Sequence, residues 1–340
     1  MTSAVKGTKL IVVAVLAMLA LVSGCAGQPK QQAATPSRSA APVRPGTRTT
    51  APAPITPAPA GGEGSYQTAQ RQVTFTEPAH VGLAGQYLGQ RTLVTRIWYP
   101  RASGAARPFP LLLFAPGFLQ CPDAYSHLLQ AWAGAGYVVA AVTFPRTNCH
   151  LGPEAYEADL VNQPQDMSYV LTRLLALSAQ PGDPFSGLLD PHEVGAAGQS
   201  DGGDTVAALG ASTCCADHRL KAVAVLSGAE WPPMPGRYFP GEAPPMLFTQ
   251  GSADAVNPPW ASLQLYHADD ADARYYLDLF GASHLVPYEG INPVERLTAR
   301  VTLAFFDRYV LGQAGALATM TRDGNVTGTA ALVSGGQSPP

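Results

Sequence analysis

The sequence predicts an α/β fold, a mostly parallel sheet of approximately eight strands with helices on both faces. Three observations lead there. Short apolar runs such as Leu111-Leu112-Leu113-Phe114 recur along the chain, and they are too continuous for strands with one wet face. Helical stretches lie between them; Met167, Val170, Leu171, Leu174 and Leu177 return at three- and four-residue spacing. Setting the two termini aside leaves about 250 residues, a normal size for one domain.

The strands are expected around 73–75, 92–99, 111–114, 138–143, 194–197, 222–226, 246–248 and 274–280. A core-facing helix covers 167–177. The stretch 228–244 holds only 17 residues, and Trp231-Pro232-Pro233-Met234-Pro235 cannot continue a helix, so no cap domain fits there and an open cleft is expected. The last helix has clear ends: Asn292 suits the N-cap, Pro293 the first helical position and Gly312 the stop. From residue 314 to 340 the chain is rich in Gly, Thr and Ser and reads as a flexible tail, with Asp323-Gly324 a candidate hairpin turn.

Residues 1–24 read as a leader. Lys6 and Lys9 precede 13 apolar residues, Leu10 to Val22, too few to span a bilayer. Leu21-Val22-Ser23-Gly24-Cys25 resembles the bacterial lipobox, in which the cysteine becomes the lipidated N-terminus. Export, with the catalytic part outside the cytoplasm and held to the membrane through Cys25, is the expectation; an ordinary secretory signal with an incidental cysteine is the alternative. Residues 25–64, rich in Pro, Ala, Thr and Ser, form a tether that cannot bury enough surface to order itself. Loss of the leader moves the formal charge from −3 to −5, so nothing basic marks a nucleic-acid partner.

The most informative motif is Gly198-Gln199-Ser200-Asp201-Gly202, directly after an apolar run. This is the spacing of a nucleophile elbow, where a strand turns sharply into a helix and lifts one hydroxyl to the sheet rim. A serine hydroxyl is a poor nucleophile until an imidazole takes its proton, and the imidazole needs a carboxylate to fix its tautomer. Asp254 follows the run 246–248 and His284 follows 274–280. Of the seven histidines, only His284 follows an expected strand downstream of that acid. Glu230, on the loop after 222–226, is a rival acid. The turn Ala115-Pro116-Gly117-Phe118 assigns the N–H of Phe118 to an oxyanion hole, with the N–H of Asp201 as second donor. Trp231, Phe118 and Leu119 are candidate substrate contacts.

These motifs together resemble α/β-hydrolases of the dienelactone hydrolase branch, over about residues 70–313. Within it the likeness is to platelet-activating-factor acetylhydrolases, chlorophyllases and bacterial cutinase-like polyester hydrolases, and it is marked between Phe114 and Pro145, where Tyr125, Leu128, Ala131 and Gly136-Tyr137-Val138-Val139 stand. The elbow departs from many relatives, with Gln-Ser-Asp where they carry His-Ser-Met or His-Ser-Phe. The resemblance implies a single α/β-hydrolase domain over 65–313 and carboxylic-ester hydrolysis without a cofactor. It also implies that the strands before Cys121 and Cys149 are neighbours, which puts both cysteines at one rim and favours a bridge between them. Cys214 and Cys215, adjacent in sequence, are left as a vicinal disulfide or two thiols. No Cys/His spacing reads as a metal site. The expected partner is a small or polymeric ester met by a monomer. A catalytically idle hydrolase fold that binds envelope components, or a peptidase or acyltransferase with the same triad, stays open.

Overall fold

A computed structural model describes residues 66–101 and 108–339. The expected leader, Cys25 and the tether to residue 64 lie outside these residues. The strands are β1 (Thr68–Glu77), β2 (His80–Val81), β3 (Tyr87–Leu88), β4 (Arg91–Pro100), β5 (Phe109–Ala115), β6 (Val138–Thr143), β7 (Leu189–Gln199), β8 (Ala222–Leu226), β9 (Met246–Gly251), β10 (Arg274–Leu279) and β11 (Ala330–Ser334). Nine of them make one sheet in the order β1-β4-β6-β5-β7-β8-β9-β10-β11, and β2 pairs with β3 apart from it. The neighbours from β6 to β10 run parallel, whereas β1–β4, β4–β6 and β10–β11 pair antiparallel. The sheet is therefore mixed, with its parallel strands at the centre. All eight expected strands fall on sheet strands.

The helices are α1 (Ser126–Gly134), α2 (Gln163–Ala179), α3 (Asp201–Ala211), α4 (Pro259–Ala268), α5 (Pro293–Tyr309) and α6 (Ala316–Gly324). The strand period of two sorts each central strand between two cores. Leu111 and Leu113 join Met167, Leu171 and Val206 of α2 and α3 on one face, while Leu112 and Phe114 join Trp132, Phe305 and Phe306 of α1 and α5 on the other. Asn292 caps α5 as expected, its side chain accepting from the N–H groups of Val294 and Glu295.

Two expectations need correction. The sheet has nine strands instead of about eight, and residues 316–334 form α6 and β11 where a flexible tail was expected. The extra strand pairs Ala330 with Leu279 and Ser334 with Tyr275, which satisfies the outer hydrogen-bonding edge of β10. The turn before it lies at the Val326–Ala330 bridge, just beyond Asp323-Gly324, because α6 runs on to Gly324.

The connection from β8 to β9 returns along α3 without a helix. Thr213 donates to the Arg237 carbonyl and Phe239 to the Ala211 carbonyl.

Candidate active site

The elbow is a forced piece of backbone. Ser200, between β7 and α3, sits at φ +56° and ψ −124°, a region that side chains other than glycine's rarely occupy. A Cβ on Gly198 would stand 2.0 Å from the Gly202 carbonyl oxygen, and one on Gly202 would stand 1.9 Å from that of Ala115. Strand, turn and helix can close up only with glycine at both places.

The other two residues arrive on loops that are tied to each other. Ser252 donates to the Leu279 carbonyl and Ala253 to the Ala282 carbonyl, and a Cβ on Gly251 would meet the Ala282 carbonyl at 2.3 Å. This close approach carries Asp254 to His284. Asp254 Oδ2 lies 2.7 Å from His284 Nδ1, and His284 Nε2 lies 2.9 Å from Ser200 Oγ. A carboxylate can only accept, so Nδ1 carries the proton and Nε2 is left to accept from the serine hydroxyl. Burial raises the Asp254 pKa, but the bonds from His284 and from the N–H groups of Val256 and Asn257 outweigh it and hold the carboxyl below its ordinary range. Gln250 Nε2 also donates to Oδ2.

Glu230 is exposed and accepts from Gln264, so Asp254, not Glu230, is the acid that meets the histidine. Phe118 and Asp201 both lie at the elbow. A Cβ on Gly117 would touch Ser200 Cβ at 3.1 Å, and the Phe118 N–H makes no hydrogen bond among the described residues. The N–H of Asp201, first residue of α3, has no intrahelical partner. Both N–H groups thus stand without a partner in the segments next to Ser200. Leu119 is exposed at φ +56° and donates to the Thr147 carbonyl.

That contact is reinforced by the Cys121–Cys149 disulfide, whose Cα atoms are 5.3 Å apart at the C-terminal rim of the neighbouring strands β5 and β6. Cys214 and Cys215 also form a disulfide. It lies beyond the far end of α3, in a small cluster with Met234, Leu160 and Trp231. Trp231 packs in that cluster, so its surroundings are those of a packing aromatic. Among the described residues, one group, Cys121, Cys149 and His150, has metal-ligand spacing, and its two sulfurs are joined to each other.

Two residues that sequence reasoning passed over complete the site. Gly117 N–H donates to Tyr125 Oη at 3.2 Å, and the tyrosine hydroxyl donates to Gln199 Oε1 at 2.8 Å. Gln199 Nε2 donates to the His284 carbonyl at 3.2 Å and lies 3.2 Å from His284 Nε2. A backbone carbonyl can only accept, so the amide nitrogen must face the histidine. Tyr125 and Gln199 are fully buried. The chain of bonds runs from the Gly117 turn, through the residue before Ser200, to the His284 loop. Its sequence signal was the unusual glutamine before Ser200.

Acidic neighbours complete the electrostatics. Asp201 is buried with Oδ2 unpartnered; burial and the nearby Glu157 push it up to about 7, partly opposed by His284. Burial likewise raises Glu289, against the opposing pull of His284. The chain matches no known protein-family model and no curated protein sequence.

Proposed function

We propose that the chain is a serine hydrolase of the α/β-hydrolase type that cleaves carboxylic esters through an acyl-enzyme. The observation that carries this reading is the relay Ser200–His284–Asp254, with its 2.9 Å and 2.7 Å contacts. Ser200 Oγ attacks the ester carbonyl as His284 Nε2 takes its proton. The oxyanion is held by the N–H groups of Phe118 and Asp201, and Asp254 stabilises the imidazolium. The carbonyl re-forms, the C–O bond to the alcohol breaks, and His284 returns the proton to the leaving alkoxide. Water, deprotonated by the same imidazole, then attacks the acyl group and frees the acid and Ser200. No step calls for a metal or cofactor.

Phe118 and Leu119, which follow Gly117 on the turn against Ser200, are the side chains this reading gives to the substrate; the packing of Trp231 gives it a smaller part. Export and lipid anchoring at Cys25, from the leader pattern, would place the reaction at the outer side of a membrane, carried out by a monomer. A fluorophosphonate probe tests the assignment, since only an activated serine is labelled. Labelling and p-nitrophenyl ester hydrolysis are expected in the wild type and lost in Ser200→Ala, where removing a triad member costs roughly 10⁴-fold or more. Activity within tenfold of wild type in that variant refutes it.

A further inference from the structure

The exposed apolar side chains are distributed in one direction only. Among the described residues eleven large apolar side chains are exposed, and every one lies at the end of the sheet that carries Ser200. Two stand on the β2–β3 hairpin, one after β5, one after β6, two after β9, four after β10 and one before β11. The register fixes this end. β1 finishes at Glu77 opposite Arg91 and Thr143 pairs with Val94, so residues 78–90 emerge beside the C-terminal ends of the parallel strands; β11 enters opposite Leu279 at the same end. Single exposed apolar residues are ordinary, but a one-sided set around a site is the mark of an interaction surface.

Charges are sparse on most of this end. The loops 78–90, 116–122, 252–260, 280–292 and 325–329 contain no lysine or arginine, and their acids are Asp254 of the relay and Glu289. The loop after β6 carries Arg146, which stacks over the exposed Tyr156, together with Glu154, Glu157 and Asp159. The far end carries Asp183, Arg219, Lys221, Glu242 and Asp269 on its loops. Tyr87, Val256, Trp260 and Ile291 are 76 %, 66 %, 66 % and 75 % exposed, and two of them flank the relay in sequence, Val256 two residues after Asp254 and Ile291 seven after His284.

We propose that this face docks on a lipid surface of no net charge, from which the site takes its ester. The inference rests on the hydrolase reading. Ser200 lies in the middle of the face, and a protein or a second copy seated there would cover it. An assembly that itself presents the ester can cover the face and leave the site working. Arg146 on the loop after β6 is outnumbered by the carboxylates Glu154, Glu157 and Glu289, so anionic headgroups would add no net attraction and the affinity comes from the apolar side chains. Reach is sufficient: the 40 residues between Cys25 and Tyr66 span up to about 130 Å when extended, so a chain held at Cys25 can turn this face to the bilayer.

Trp260 supplies the probe: Trp98 and Trp132 are fully buried, Trp231 is partly buried against Met234 and Leu160, and Trp260→Phe isolates the signal of Trp260 from that of Trp231. Full-length protein is mixed with vesicles of phosphatidylcholine, of brominated phosphatidylcholine, and of phosphatidylcholine with phosphatidylglycerol. Bromine is expected to quench Trp260 in the wild type, with little quenching in Trp260→Phe, and added phosphatidylglycerol should not strengthen binding. The variant Tyr87→Ser, Trp260→Ser, Ile291→Ser should hydrolyse dissolved p-nitrophenyl acetate at the wild-type rate. Its hydrolysis of a long-chain ester embedded in vesicles should fall at least about tenfold. Absent quenching with intact acetate hydrolysis overturns the docking and leaves the hydrolase reading standing. Quenching without hydrolysis of either ester sustains the docking and sinks that reading. Binding only to anionic vesicles, or a dimer dissociated by the triple substitution, overturns the occupant proposed.

Discussion

Tyr125→Phe offers a sharp test of how the site is held. The substitution removes one oxygen and keeps the ring, which packs against Phe114 at a centroid distance of 4.8 Å. It leaves the Gly117 N–H and Gln199 Oε1 buried without partners. Each such orphan costs about 1–3 kcal/mol, so unfolding in urea should show a loss of roughly 2–6 kcal/mol. The melting temperature should fall by roughly 4–24 °C for a domain of this size. The catalytic effect follows from the same bonds. Deleting one oxyanion donor outright typically costs about 10²–10³ in kcat; here the donors stay but the loop bearing Phe118 and the amide beside His284 lose their brace, so kcat should drop about 10- to 100-fold. KM, set by the unchanged walls of the cleft, should move less than about threefold. Gln199→Met should behave similarly, and the double variant should be little worse than either single one, since both remove members of a single chain of bonds. Steady-state kinetics on p-nitrophenyl acetate, paired with urea unfolding, separate the two effects. Costs in kcat that simply multiply in the double variant, or either single variant with kcat within twofold of wild type, would refute the bracing argument.

Other consequences can be measured on the same assay. Asp254→Asn should lower kcat by about 10⁴, because the amide favours the wrong imidazole tautomer, while Glu230→Gln, whose carboxylate meets Gln264, should leave kcat within about threefold. The reverse pattern would place the acid after β8. Asp201 is pushed up to about 7 by burial and by Glu157, so between about 4 and 7 the folded protein holds a proton that the unfolded chain has lost, and its stability falls as pH rises through that window. Asp201→Asn should therefore raise the melting temperature at pH 8, where up to about 4 kcal/mol is at stake, and change it little at pH 4; equal effects at both values would mean that the carboxylate is ionised throughout. Cys121→Ser with Cys149→Ser frees a 28-residue loop next to Phe118, whose N–H the proposed mechanism uses, and should cost about 3 kcal/mol of stability and lower kcat more than it raises KM. A variant as stable as wild type, or one changed only in KM, would show that the bridge does not brace that loop.

What could be read from the chain was what is written locally. The triad candidates each follow an apolar run, and the elbow's glycines are demanded by contacts within a few residues, so Ser200, Asp254 and His284 could be named before any fold was seen. The disulfide needed one further step, the adjacency of β5 and β6 implied by the family resemblance, and the sulfurs are joined as that adjacency requires. The pieces missed are those whose reason lies far along the chain. The tail looked unable to order itself because its Gly, Thr and Ser bury little. Its order comes from α6, whose Met320 is buried in the same core as Phe305 of α5, and from the free edge of β10. Tyr125 bonds to a residue 74 positions away, and nothing in the spacing of either residue announces it. Gln199 could be flagged as a departure from the resemblance but not interpreted. An amide donates from one end and accepts at the other, so it can accept from Tyr125 and donate to the His284 carbonyl at once, a pairing that a neutral imidazole at this place could meet only if its two nitrogens fell on the same two partners. A glutamine before the nucleophile is thus legible only together with a tyrosine hydroxyl on one side and a histidine carbonyl on the other, and that triple is a property of the folded rim.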